Sequence, residues 1–299
     1  MSAERRATGL VLLAACAFGS LATAVTLADR AGVALLTLMT WRYALAAPLL
    51  VVAAGGPRAL RIPRRDALAL LLLGGTGQML ITTMSFSSLQ WLTAAQLGFL
   101  FYTYPAWVAL LMAGSGVERL TRGRVGALTL ALVGITLMVG RPWASAIPTP
   151  GLVRALGSAA IYAAYIPLLH RLRGPHPAAV ASTYVISGAA LSLGGWSAAQ
   201  GILFRHMSPA MWALALACAV IGTVLAFITF LRGLEVLGAV RTAILSTVEP
   251  FWNAMLAAVV LRQAITPMTI AGGSVIMAAI VLLQRSAHPA LATDAPAPE

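Results

Sequence analysis

The sequence predicts an all-α integral membrane protein with ten transmembrane helices arranged as two inverted five-helix repeats. Three observations carry that prediction. The 299 residues are 60% hydrophobic and only 9% charged, against roughly 25% charged in a soluble domain. Ten apolar runs approach the ~20 residues that cross a bilayer. A stretch of the first half also recurs in the second around a shared Pro and Trp.

The first run, 8–28, follows Arg5-Arg6 and contains Leu13-Ala14-Ala15-Cys16, which fits a bacterial lipoprotein cleavage box. Its apolar character continues to Ala28 and the repeat needs this helix, so an uncleaved helix is expected. It also carries a stripe of Gly19, Thr23 and Thr26. The second run, 33–54, holds Arg42 some ten residues in. The third, 67–87, has Gln78, Thr82 and Ser85 on one helical face. Such polar stripes glue helices together or line a wet cavity. The fourth, 92–113, holds Gln96, Tyr102, Tyr104, Pro105 and Trp107, and the fifth, 124–141, closes the first repeat. The sixth, 151–169, places Tyr162 and Tyr165 on one face, and the seventh and eighth are 178–200 and 210–231. The ninth, 238–260, contains STVEPFWNAM (246–255), a carboxylate, a proline and an amide inside an apolar run; the tenth is 267–284. Residues 286–299 are Pro/Ala-rich with little to bury and read as a disordered tail.

Residues 85–107 and 230–252 align without a gap at an offset of 145, pairing Pro105 with Pro250 and Trp107 with Trp252. At offset 142, Gly9-Leu10-Val11 matches Gly151-Leu152-Val153 and Gly32 matches Gly174. The repeats are therefore expected at 1–141 and 142–285. Five helices is an odd number, so the second copy enters the membrane from the opposite side, an arrangement typical of transporters with a midplane site.

All twenty basic residues are Arg, and the formal net charge is +12. They fall singly or in small clusters between apolar runs, with no dense patch, so no nucleic-acid partner is expected. Fourteen lie in loops or at helix ends on one side and five on the other, which predicts cytoplasmic N and C termini in a bacterial-type inner membrane. Cys16 and Cys218 sit in apolar runs as inert thiols, and no metal-ligand spacing exists.

Glu249, Trp252 and Asn253 share one face of the ninth helix. An ionisable residue at bilayer depth is a functional-site hypothesis by default, here a cavity wall for an ammonium or a proton. The structural alternative is a protonated Glu repairing backbone freed by Pro250. Tyr102, Tyr104, Trp107 and Gln96 occupy the equivalent region of helix four, and Tyr162 and Tyr165 add rings that suit amphipathic solutes. Trp107 and Trp252 are placed to face each other across the pseudo-twofold. Trp41, Tyr43, Trp91, Trp196 and Trp212 fit an interfacial aromatic belt. Gln78 and Thr23 are cavity-lining candidates. Arg42 either meets a carboxylate or substrate anion, or anchors helix two to backbone carbonyls. Pro105 and Pro250 are expected hinges.

GSGVERLTRGRVGALTLALVGITLMV (114–139), after TYPAWVALL (103–111), resembles the first-repeat signature of the drug/metabolite transporter superfamily, EamA type. VEPFWNAMLAAVVLRQAIT (248–266) is similar to the second. The chain departs from the pattern at Gln263, the counterpart of Glu118, and at Ser115-Gly116-Val117 before that Glu. The resemblance spans about 8–284. It implies a central cavity lined mainly by helices 1, 3, 4, 6, 8 and 9, and export of small metabolites.

The expected function is secondary transport, as an exporter of small amphipathic metabolites such as amino acids by alternating access, with protons as a candidate coupling ion. Hydrophobic-cation or multidrug efflux is the alternative. An integral-membrane enzyme needs clustered His, Asp, Cys or Ser-base pairs at depth, whereas His170, His176, His206 and His288 fall at loops or in the tail. A channel favours a ring of one residue type from symmetric subunits. No cofactor or metal is expected, and a monomer is plausible.

Overall fold

The computed structural model describes residues 3–92, 94–139, 148–203 and 207–285. The expected tail, the expected repeat boundary at 141–142, and His206 and His288 lie outside the described residues. The helices are α1 (Ala3–Arg30), α2 (Leu35–Ala53), α3 (64–88), α4 (94–114), α5 (Arg122–Val139), α6 (Thr149–Arg173), α7 (Ala178–Ala199), α8 (209–237), α9 (239–261) and α10 (Pro267–Arg285). Helix is what a chain needs in lipid, because every backbone N–H and C=O finds its partner within the segment.

Residues Pro209–Leu261 form a 53-residue apolar stretch. At ~1.5 Å per residue it is far longer than the ~30 Å of hydrocarbon one helix crosses. Gly238 divides it, with φ 76° and ψ 173°, a conformation essentially reserved for glycine. The chain reverses there, and α8 and α9 become separate crossings.

The packing repeats itself across the two halves. α1 packs on α8 as α6 packs on α3, α1 on α9 as α6 on α4, and α2 on α8 as α7 on α3. The self-related pairs, α2 with α7 and α5 with α10, close the arrangement. This is the pairing that an inverted five-helix repeat demands. Gly32 (φ 73°) and Gly174 (φ 54°), matched in the sequence, follow α1 and α6, each with a positive φ.

Small residues set the closest approaches, as they do where lipid removes the hydrophobic drive between helices. A Cβ built on Gly134 of α5 would stand 2.7 Å from the Gly272 carbonyl oxygen of α10. α3 and α8 each contain a π-helical segment, Leu73–Gly77 and Val220–Leu225. Each carries a Gly-Thr step, Gly75-Thr76 and Gly222-Thr223. π turns occur mostly at functional positions in helices.

The ion pairs found among the described residues gather at one end of the bundle, where α1 begins and α8 passes into α9. Arg173 Nη2 lies 2.7 Å from Glu235, His176 Nε2 2.9 Å from Asp66, and Arg241 Nη1 3.4 Å from Glu4. Glu118, after α4, pairs with Arg124 at 3.1 Å. Its other oxygen accepts the backbone N–H groups of Ala239 and Val240 at 2.9 and 3.4 Å, at the start of α9. At the opposite end, Trp41 meets Trp212 edge-on with centroids 4.7 Å apart, and Arg154 lies over the Trp91 ring at 4.4 Å.

Candidate functional site

α4 and α9 are both interrupted near their middles. Helix Ala94–Phe101 ends in a turn at 102–103 and restarts as Tyr104–Gly114; in α9 a 3-10 turn at Ser246–Val248 precedes Glu249–Leu261. Pro105 and Pro250 lie in the first turn of the restarted segments. There the missing N–H would have no helical partner anyway. The sequence alone places both prolines inside a continuous helix; in the structure the interruption comes first and each proline opens the segment after it. Hydroxyls take up carbonyls around the breaks. Thr103 Oγ1 donates to Leu100 O (2.6 Å), Ser246 Oγ to Thr242 O (2.9 Å) and Thr247 Oγ1 to Ile244 O (2.7 Å).

Those bonds bear on Glu249. Backbone repair at the break is done by Ser246 and Thr247, and Glu249 has no ion-pair partner among the described residues. Its side chain is half-buried, with the Tyr102 hydroxyl directed at the carboxyl. Behind Tyr102 runs a wall of rings. Tyr102 and Tyr104 have centroids 6.4 Å apart, Tyr104 meets Tyr162 edge-on at 4.8 Å, and Phe101 stacks on Tyr162 at 5.4 Å. Tyr165 continues the series, 6.3 Å from Tyr162. The hydroxyl of Tyr104 is close to Ser246. A half-buried acid beside five aromatic rings can hold an amine through charge and through ring faces.

Trp252 and Asn253, on the same helix, are tied to α1. Trp252 Nε1 donates to Ser20 Oγ (3.0 Å), Ser20 Oγ donates to the Cys16 carbonyl (2.9 Å), and Thr23 Oγ1 donates to Asn253 Oδ1 (3.0 Å). Gly19 makes the approach possible: a Cβ there would stand 2.7 Å from the Glu249 carbonyl oxygen and 3.3 Å from Trp252. Trp107 donates to Thr103 Oγ1 of its own helix at 3.2 Å and is partly exposed. No ring contact joins Trp107 to Trp252 among the described residues, so the expected pairing across the pseudo-twofold is not made. Gln96 is buried in the first half of α4.

Arg42 is 5% exposed. Its guanidinium lies 4.2 Å from the Tyr43 ring centroid, its Nε has no hydrogen-bond partner, and no carboxylate among the described residues pairs with it. Tyr43, expected in an interfacial belt, is instead buried at 3% exposure and donates to Gln78 Oε1 at 3.1 Å. The belt reading fails because Tyr43 faces α3, whereas Trp91, Trp196 and Trp212 are partly exposed as a belt requires. The structure thus gathers Glu249, Tyr102, Tyr104, Tyr162, Tyr165 and Gln78, moves Tyr43 from the belt to this group, and adds Phe101, Ser20 and Ser246, which the sequence did not single out. Position 246 is the one with a signal: it lies three residues before Glu249, in a hydroxyl pair ahead of a proline.

Inverted halves, helices broken at mid-depth and an acid facing an aromatic wall define a membrane transporter of the inverted-repeat class. The chain belongs to the EamA-like transporter family, whose pattern matches residues 6–140 and 149–285. It is 27% identical over 230 residues to an uncharacterized inner membrane transporter, YicL, of Salmonella typhimurium (strain LT2), with 74% of each chain covered. A crystal structure at 22% identity superposes with a TM-score of 0.77 over 95% of this chain and 99% of the other, a likeness of fold.

Proposed function

We propose that the protein is a secondary transporter that exports small amphipathic metabolites, amino acids among them, across a bacterial-type inner membrane by alternating access. The observation that carries this reading is Glu249. A carboxyl at bilayer depth is costly, yet here it is half-buried, without an ion pair among the described residues and relieved of backbone repair by Ser246 and Thr247. An ammonium-bearing solute passing the Tyr102–Tyr104–Tyr162 wall meets it, and a proton competes for the same group. The Arg asymmetry supports cytoplasmic termini. Repeats of 1–141 and 142–285, each hinged at its proline, supply the two rocking units. The aromatic wall also suits a hydrophobic cation, the alternative cargo.

The test begins with a metabolite-resistance screen of overexpressing cells. The hits then go into proteoliposomes, where saturable flux separates a transporter from a channel. Glu249→Gln keeps size and hydrogen bonding while removing the charge and the titratable proton. It is expected to abolish flux or its pH dependence at matched protein levels. Unchanged flux and pH profile would falsify the role assigned to Glu249.

A further inference from the structure

We propose that Arg42, Gln78 and Tyr165 form an anion-binding pole of the transport cavity, where the carboxylate of an amphipathic solute docks. This rests on the transport reading above and deepens it: the cargo carries an acid as well as an amine.

The first observation is a charge without a partner. Arg42 is more than nine-tenths buried, and none of the carboxylates among the described residues pairs with it. A buried cation left uncompensated is strongly destabilising. The Tyr43 ring face, 4.2 Å away, offsets only part of that. Its other neighbour of note is the Cys218 thiol of α8, which carries no charge to match it.

The second observation is an excess of donors. Tyr43 donates to Gln78 Oε1, and the amide nitrogen of Gln78 is a donor only. The Tyr165 hydroxyl is buried against that amide, without a hydrogen bond of ordinary geometry. Guanidinium, amide NH2 and phenol O–H come from α2, α3 and α6, three helices of both repeats. What this set lacks is an anion, and a carboxylate supplies a negative charge together with acceptors only. Arg meets a carboxylate with paired N–H bonds, the strongest neutralisation available to it.

The two poles are joined by rings. From Tyr165 the chain of contacts runs through Tyr162 and Tyr104 to Tyr102, whose hydroxyl faces Glu249. A solute that reaches both poles carries its amine and its acid at opposite ends of an apolar body, as an ω-amino acid or a short peptide does, and lays that body along the wall.

Two single-headed probes separate the poles: phenethylamine, with only an amine, and 3-phenylpropionate, with only a carboxylate. Binding is read by calorimetry on the purified full chain. Arg42→Gln is expected to weaken 3-phenylpropionate at least about tenfold and leave phenethylamine within about twofold, while Arg42→Lys restores part of the loss. Glu249→Gln is expected to do the reverse. If Glu249→Gln leaves phenethylamine binding intact while Arg42→Gln loses the carboxylate, the role of Glu249 falls and the anion pole stands. If Arg42→Gln binds 3-phenylpropionate as the parent does, the anion pole falls. The parent protein provides a check where Arg42→Gln does not fold: a parent that binds phenethylamine, or nothing, but no carboxylate overturns the proposal.

Discussion

The two ends of the bundle share a backbone plan and differ in chemistry. At the end where α8 turns into α9, Glu118 from the first repeat caps the start of α9 in the second, and Glu4–Arg241 and Asp66–His176 also cross between repeats. At the other end the crossings are aromatic, Trp41 on Trp212 and Arg154 over Trp91. Glu118 is largely covered, whereas its repeat counterpart Gln263 is exposed. Inverted symmetry therefore fixes where helices go, and single substitutions such as Glu to Gln decide which end is clamped. Charge-assisted bonds at one end and ring contacts at the other give the two ends different strengths and different salt sensitivity, and under the alternating-access cycle we propose these ends are its two gates.

The most severe way to break the contrast is Gly238→Ala. The backbone there is in a glycine-only region, and a Cβ would stand 2.9 Å from Glu118 Oε1. Strain of about 1–3 kcal/mol adds to displacement of the cap, so a large drop in thermal stability of the purified protein is expected. A variant that melts with the parent would show that the reversal is not held by this contact.

Glu118→Gln comes next. It keeps an acceptor but loses the Arg124 pair and the charge on the α9 cap, a change of about 2 kcal/mol by the worth of charge-assisted bonds. Amide exchange at Ala239 and Val240 should quicken, while exchange in α2 and α7 stays as it was. Equal exchange in both proteins rejects the clamp.

Pro105→Ala and Pro250→Ala sharpen the comparison of repeats rather than ends. Each proline only opens a segment after an existing break, so stability should change by less than about 1 kcal/mol. Flux should slow in both. If both transport at the parental rate, the breaks work without their prolines. The smallest effect is expected for Glu4→Gln, whose carboxylate is nearly half exposed. A loss under about 0.5 kcal/mol, vanishing at high salt, is the outcome for such a pair, and a larger salt-independent loss would move Glu4 into the clamp proper.

Much of this was legible in the chain itself. Apolar runs with Arg between them announce crossings, and the Pro-Trp register together with the glycines at 32 and 174 announces the repeat, because helix ends and turns demand particular residues. Glu249 stood out because lipid makes a carboxylate conspicuous. Tyr43 did not, since a tyrosine near Trp41 reads as interfacial until the neighbouring helix shows which side it faces. The state of Arg42 was equally hidden, because pairing depends on contacts far away in sequence. The π segments left only a Gly-Thr step in each half, displaced from the main register by two residues and easily passed over among so many glycines.

One of those segments has a consequence for aim. A π turn holds one residue more than the α turn it replaces, and one residue is about 100° of rotation and 1.5 Å of rise. Leu73–Gly77 ends immediately before Gln78, so the extra residue acts as an angular spacer that sets where Gln78 points. Wound as regular α-helix with every residue kept, that stretch would swing its polar stripe about a quarter-turn off the line from Tyr43, whereas deleting one residue from it would restore an α turn and leave Gln78 aimed as it is.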